Sequence, residues 1–361
     1  MSKAQRRFDL ISRNTSEIVT EDDLKKVLRR QKIRGYIGVE PSGLFHVGWM
    51  VWVEKLKDLM DAGVDMIFLK ATWHAWINDK LEGKMENIKA CASYMEHCLS
   101  ALGVKMGRLC LIDAEEMADD SNYWALVLRV AKQLTLARVR RAITIMGREM
   151  SEASVDFSKL IYPTMQISDI YYLDLDICLG GTDQRRAHVL AREVSNKLGR
   201  RKPVAVHTPL LMGLSGLRRM DVRGVTQEDL ISFKMSKSKP ETCIFIHDGE
   251  EEVERKLLNA YCPSRQVEHN PVMDFNRYLL FSERGFKLDI ERPRKYGGSV
   301  RVESFRELSS KYAEGEIHPL DLKKATAMAL NKKLAPVRSY FEEKSEAKEV
   351  YNELAGLKIS R

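Results

Sequence analysis

Apolar positions along the chain alternate between two periods. Trp49, Trp52, Val53, Leu56, Leu59 and Met60 recur every three or four residues, which predicts an amphipathic helix. Gly63 stands where a helix C-terminal cap belongs. Compact apolar runs at 36–40 and 65–71 flank this helix and predict strands, so the segment reads as a βαβ unit. Upstream, Thr20 with Asp23 resembles a capping box opening a helix that runs to about Lys32. Downstream, Ile88, Cys91, Ala92, Met95 and Leu99 predict another helix, closed by Gly103. Three further strands are expected at 108–112, 175–179 and 204–207. The alternation predicts an α/β fold of Rossmann type, a mostly parallel sheet with helices on both faces. Ligands of such sheets bind beyond the carboxyl ends of the strands. From about Glu250 the chain turns charged and helical, most clearly at 251–261 and 321–341. A domain boundary is expected near Asp248-Gly249, separating residues 1–248 from a mainly α-helical C-terminal domain, 249–361.

Composition narrows the function classes. Hydrophobic residues make up 44% and charged residues 30%, as in an ordinary water-soluble protein. No run of 18 apolar residues occurs, so no membrane span is expected. The polar first ten residues carry no apolar signal-peptide core, and the expected location is cytoplasmic. The six cysteines form no Cys-x-x-Cys pair and show no zinc-finger spacing, which predicts buried free thiols and no side-chain metal site. The net charge of +8 favours polyanion partners such as nucleic acid.

Two segments carry nucleotide chemistry. Pro41-Ser42-Gly43-Leu44-Phe45-His46-Val47-Gly48-Trp49 lies at a strand-to-helix turn, where glycines permit close backbone approach and a helix N-terminus attracts anions. Lys234-Met235-Ser236-Lys237-Ser238-Lys239 alternates ammonium and hydroxyl groups, which can neutralise phosphate charge during transfer. Alone, the first is often a structural turn and the second a solvated patch. Together, and in this order, they resemble the "HIGH" and "KMSKS" signatures of class I aminoacyl-tRNA synthetases. The resemblance implies that His46 and Gly48 hold ATP, with Gly48 letting adenine approach the backbone. It implies that Lys234 and Lys237, with Ser236 and Ser238, clamp the triphosphate, and that Mg²⁺ accompanies the ATP. Trp49 departs from the family, which usually has histidine there; indole can neither accept a hydrogen bond nor carry charge.

Further segments resemble tyrosyl-tRNA synthetases of the archaeal and eukaryotic type, a similarity that extends from about residue 13 to 341. They are Tyr36-Ile37-Gly38-Val39-Glu40-Pro41-Ser42-Gly43, Ile161-Tyr162-Pro163-Thr164-Met165-Gln166-Ile167-Ser168-Asp169 and Gly180-Gly181-Thr182-Asp183-Gln184-Arg185. The resemblance implies that Tyr36 and Asp169 bind the hydroxyl of L-tyrosine. Tyr162, Gln166 and Gln184 would hold its ammonium and backbone, and Asp183 would lie near the ATP ribose. Lys70 and Thr72 stand where the family usually has apolar and acidic residues near the pocket wall, and are expected to alter its polarity; His74 is kept. Two alternatives stay open: a tryptophanyl-tRNA synthetase, which Tyr36 and Asp169 oppose, and a non-catalytic tRNA-binding relative, supported only by Trp49.

A tRNA surface is also expected. From Tyr123 to Arg148 there is no Asp or Glu, whereas Arg129, Lys132, Arg138, Arg140, Arg141 and Arg148 recur among apolar residues at helical spacing. By resemblance, Arg141, Arg185 and Arg186 meet the acceptor end of tRNA(Tyr), and an insertion at about 75–175 forms a homodimer interface. In the C-terminal domain, Tyr296, His318 and Asp321 fall in segments resembling anticodon-binding pieces; Tyr296 would stack on a base and Asp321 accept from its edge. The segment 216–232, with Arg218, Arg219 and Arg223, looks longer than the family's usual connection.

Overall fold

The computed structural model describes residues 2–143, 156–217 and 231–357. It divides into two compact units: Met1–Gly43, Trp52–Pro209 and Val350–Arg361 form the first, Leu44–Val51 and Leu210–Glu349 the second.

The first unit is built on a six-stranded sheet. Its strands are β1 (Glu17–Val19), β2 (Arg34–Val39), β3 (Asp65–Lys70), β4 (Cys110–Asp113), β5 (Ile177–Gly181) and β6 (Val204–Thr208). They lie in the order β1-β6-β5-β2-β3-β4. All neighbours are parallel except β1, which runs antiparallel to β6. The five parallel strands match the apolar runs in the sequence, because strands buried on both faces need continuous apolar residues. β1 has only three half-buried residues, too few for a periodic signal.

The helix predicted to reach Lys32 ends earlier, spanning Glu21–Val27. Thr20 caps it by accepting from the Asp23 amide at 3.2 Å. The Asp23 carboxylate, however, takes Arg192 at 2.7 Å. Arg30 lies beyond the helix and pairs with Asp176 next to β5, a contact that a continued helix would have to accommodate. The acid-free basic span is not one helix but two, Ser121–Ala131 and Leu136–Ala142; Arg148 lies outside the described residues.

One face of the sheet supports the main hydrophobic core of this unit. Tyr36, Ile67, Leu69 and Cys178 from β2, β3 and β5 pack with Tyr123, Val127 and Val130 from one helix and Met165, Ile167 and Ile170 from Phe157–Tyr172.

The second unit holds the helices Glu250–Leu258 and Pro319–Glu343, as the sequence predicts, and a small antiparallel pair, β7 (Leu288–Ile290) and β8 (Val300–Val302). Lys256 is 5% exposed. Its Nζ donates to the Cys243 carbonyl at 2.9 Å and to Asp248 Oδ2 at 2.7 Å. Removing one partner of a buried pair strands the other. Lys256→Met is therefore expected to destabilise this unit by about 3–5 kcal/mol, read as a lower urea midpoint at unchanged slope.

Candidate active site

The helix Phe157–Tyr172 presents Tyr162, Gln166 and Asp169 at spacings of four and three, on one face. Asp169 is 2% exposed, with one oxygen hydrogen-bonded and the other beside an imidazole. Tyr123 Oη donates to Oδ1 at 2.7 Å, and His74 Nε2 lies 3.2 Å from Oδ2. Tyr36, buried on β2, belongs to the same apolar cluster. Burial, then Cys178 and Asp169, push the Tyr36 pKa well above the ordinary phenol value, so its hydroxyl stays neutral. Tyr123 is raised in the same direction by burial and by Asp169. At His74 burial opposes the charged form, but the Asp169 carboxylate prevails and raises the pKa. The result is a dry, fixed carboxylate beside neutral phenols.

The other polar groups form a second layer. Tyr162 Oη donates to Glu40 Oε1 at 2.5 Å. Asn78 Nδ2 donates to the same carboxylate at 3.0–3.1 Å. Gln166 Nε2 donates to Gln184 Oε1 at 3.0 Å. Asp183 lies in the turn Thr182–Gln184, just beyond the carboxyl end of β5. Sequence reasoning singled out neither Tyr123 nor Glu40. Glu40 had a signal, since it is four residues after Tyr36 and shares its side of an extended segment. Tyr123 had none, because its partner Asp169 is brought near only by helix packing.

The expected influence of Lys70 and Thr72 on the pocket is redirected. Thr72 Oγ1 donates to Asp113 Oδ1 at 2.5 Å, and Lys70 Nζ lies 2.9 Å from Glu96 and 3.7 Å from Asp113. Their polar heads are committed to the carboxylates of Asp113 and Glu96.

The second unit brings the two signatures together. His46 forms an antiparallel bridge with Phe245, and Val47 N donates to Ile244 O at 2.9 Å. Lys234 forms a bridge with Met212, and Met235 N donates to Leu211 O at 2.7 Å. A Cβ on Gly48 would lie 2.9 Å from the His46 ring, so this position excludes side chains. Burial, then Lys237 and Lys234, hold the His46 pKa well below the ordinary value, and the imidazole is neutral. Among the described residues its buried Nδ1 has no hydrogen-bond partner, a group that suits a ligand contact. Ser236 Oγ and Ser238 Oγ lie 3.0 Å apart.

In the first unit Arg138, Arg141, Arg185 and Arg186 line one open cavity between the helices Leu136–Ala142 and Arg185–Val194. Arg186 donates to the Arg141 carbonyl at 3.1 Å, and Arg185 Nε to Glu17 at 2.5 Å. In the second unit Tyr296 ends the turn Arg294–Tyr296. His318 caps Pro319–Glu343, its Nδ1 accepting from Leu320 N at 3.2 Å, so Asp321 sits in the first turn and is not the cap. Arg218, Arg219 and Arg223 lie outside the described residues. Among the described residues no helix is long and apolar enough to cross a membrane.

Comparison with known proteins places the chain in a family. The family described as tRNA synthetases class I (W and Y) matches residues 28–335. The tyrosine–tRNA ligase of Sulfurisphaera tokodaii is 56% identical, covering 95% of this chain and 94% of its own. That of Sulfolobus acidocaldarius is 55% identical, covering 94% and 95%. The crystal structure of tyrosyl-tRNA synthetase from Aeropyrum pernix superposes with a TM-score of 0.87 at 48% identity, covering 98% of this chain and all of that one. The Pyrococcus horikoshii enzyme complexed with L-tyrosine gives 0.90 at 39%, with the same coverage. A tryptophanyl-tRNA synthetase from Encephalitozoon cuniculi, at 16% identity and a TM-score of 0.70, shares the fold alone. The full-length likeness to tyrosine enzymes sets aside both the tryptophan reading and the non-catalytic one. The chain belongs to the class I tyrosyl- and tryptophanyl-tRNA synthetase family and is a tyrosine–tRNA ligase of archaeal type, with tyrosine, ATP and tRNA(Tyr) as substrates.

Proposed function

We propose that Asp169 and Tyr36 read the phenolic hydroxyl of tyrosine, while Tyr162, Gln166 and Gln184 hold its ammonium and backbone. The observation that carries this reading is the buried Asp169 carboxylate, held from both sides by Tyr123 and His74. A phenylalanine ring would supply no donor to that carboxylate and would forfeit a charge-assisted hydrogen bond worth about 1.5–3 kcal/mol. Asp183 serves the ATP ribose, His46 and Gly48 hold ATP, and Gly48 lets adenine approach the backbone. Lys234, Lys237, Ser236 and Ser238 serve the triphosphate.

The tyrosine carboxylate attacks the α-phosphorus of ATP, pyrophosphate leaves, and a hydroxyl of the ribose at the tRNA 3′ end then displaces AMP from the tyrosyl-adenylate. Positioning and charge stabilisation supply the catalysis, so no nucleophilic side chain is needed. Mg²⁺ would arrive on the ATP phosphates and supply further charge neutralisation. Among the described residues no group of three or more His, Cys, Asp or Glu side chains could cage it, and no protein ligand is assigned.

For tRNA(Tyr), Arg141, Arg185 and Arg186 would meet the acceptor end, and Tyr296, His318 and Asp321 the anticodon. This reading assigns catalysis to residues 1–248 and anticodon binding to 249–361. A cytoplasmic location and a homodimer belong to this reading, and the exposed Trp124, Leu128, Leu136 and Phe157 within 75–175 are apolar side chains that a partner subunit would cover. Amino-acid-dependent exchange of pyrophosphate into ATP, run over all twenty amino acids, tests the specificity. Exchange with tyrosine alone is expected, and exchange with tryptophan instead would overturn it. Tyr296→Ala is expected to weaken tRNA charging with adenylate formation intact, and loss of both steps would reassign Tyr296 to packing.

A further inference from the structure

Trp49 replaces the last histidine of the first signature, and none of the roles above uses it. Its indole nevertheless has a defined neighbour. Lys237 Nζ lies 3.8 Å from the ring centroid, well inside cation–π range, and tryptophan is the strongest aromatic partner for an ammonium. The ring is set in place by its own contacts. Phe45 meets it edge-on at 4.9 Å and 89°, and the His46 ring lies at 5.3 Å. The Trp49 amide donates to the His46 carbonyl at 2.9 Å.

Lys237 is only 9% exposed. A desolvated ammonium needs compensation, and the kind of compensation matters here. A carboxylate would offset the charge but would also repel an incoming triphosphate. A protonated histidine would repel the ammonium itself. An indole face attracts the cation through its quadrupole and adds no net charge that would repel a phosphate. The same arrangement sets the ammonium close enough to His46 to help keep that imidazole neutral.

We propose that Trp49 is a positioning residue, a cation–π platform that holds the Lys237 ammonium beside His46 for contact with the triphosphate of ATP. The inference rests on the reading of Lys237 as a triphosphate ligand. It gives this chain a different solution to the fourth position of the signature, in which the side chain acts on the lysine and not on the nucleotide.

The test is a double-mutant cycle on single-turnover tyrosyl-adenylate formation, with Trp49→Leu, Lys237→Met and the double variant, in the full-length enzyme. A desolvated cation–π contact is worth about 1–2 kcal/mol, which converts to about a 5- to 30-fold effect. Trp49→Leu is expected to lower kcat/KM for ATP by that factor, with tyrosine affinity by equilibrium dialysis unchanged. Trp49→Phe should recover part of the loss, because benzene keeps a weaker quadrupole. The double variant should be no slower than Lys237→Met alone. Additive losses, or a Trp49→Leu enzyme as fast as the parent, would overturn the platform while leaving Lys237 in its role. A Lys237→Met enzyme with unchanged ATP kinetics would remove the triphosphate reading and the platform together. Should Trp49→Leu melt early, the cycle built from Trp49→Phe decides, with coupling to Lys237 expected and its absence overturning the proposal.

Discussion

Asp169→Ala is expected to lower kcat/KM for tyrosine by about 10- to 150-fold, while phenylalanine activation stays within a few fold of its parent rate. The estimate follows from removing a charged acceptor from a dry site, worth about 1.5–3 kcal/mol. Tyr123 Oη and His74 Nε2 lose their common partner in the same step. Pyrophosphate exchange with each amino acid measures the ratio, and undiminished discrimination would sink the role of Asp169. The pair also has a pH signature. Against opposing burial, Asp169 raises the His74 pKa in the folded state. A raised folded pKa contributes stability that is fully present below the unfolded value, near 6.5, and is lost as pH rises through the folded one. The stability gap between the parent and Asp169→Asn is therefore expected to be wider at pH 6 than at pH 9. Thermal melts across that range check the sign.

Lys234→Ala is expected to slow adenylate formation by about 100- to 1,000-fold, the usual cost of deleting one preorganised charge-stabilising group from a transition state. Tyrosine affinity should survive, because Lys234 and the tyrosine-reading residues lie on separate stretches of chain. The backbone bridge from Lys234 to Met212 keeps the loop in place without the side chain. Single-turnover kinetics separate the steps, since a transition-state contact lowers kcat and kcat/KM together. An unchanged chemical rate would take Lys234 out of the mechanism.

Much of the site was legible because its elements are local. Tyr162, Gln166 and Asp169 share a face by helical period alone. Gly48 follows His46 by two residues, and the steric reason for a glycine there is already local. The lysine loop reads as an anion site only when it is paired with the first signature. What escaped reading depends on chain segments far apart in sequence. The basic span 123–148 reads as one helix, yet the described part breaks between Ala131 and Leu136, where Thr135 takes an extended conformation and opens the second helix. Lys70 and Thr72 look like pocket residues beside His74, but Asp113 on the next strand claims both.

The sequence by itself determined the parallel strands, the main helices and the residue types gathered in the candidate site. Apolar period and residue type are properties of short segments. Only the tertiary structure decided which partners tune those groups: Tyr123 and His74 on Asp169, Glu40 on Tyr162, Trp49 under Lys237. The charge and direction of a buried polar group are set by what surrounds it after folding, and the one-dimensional pattern does not record those neighbours.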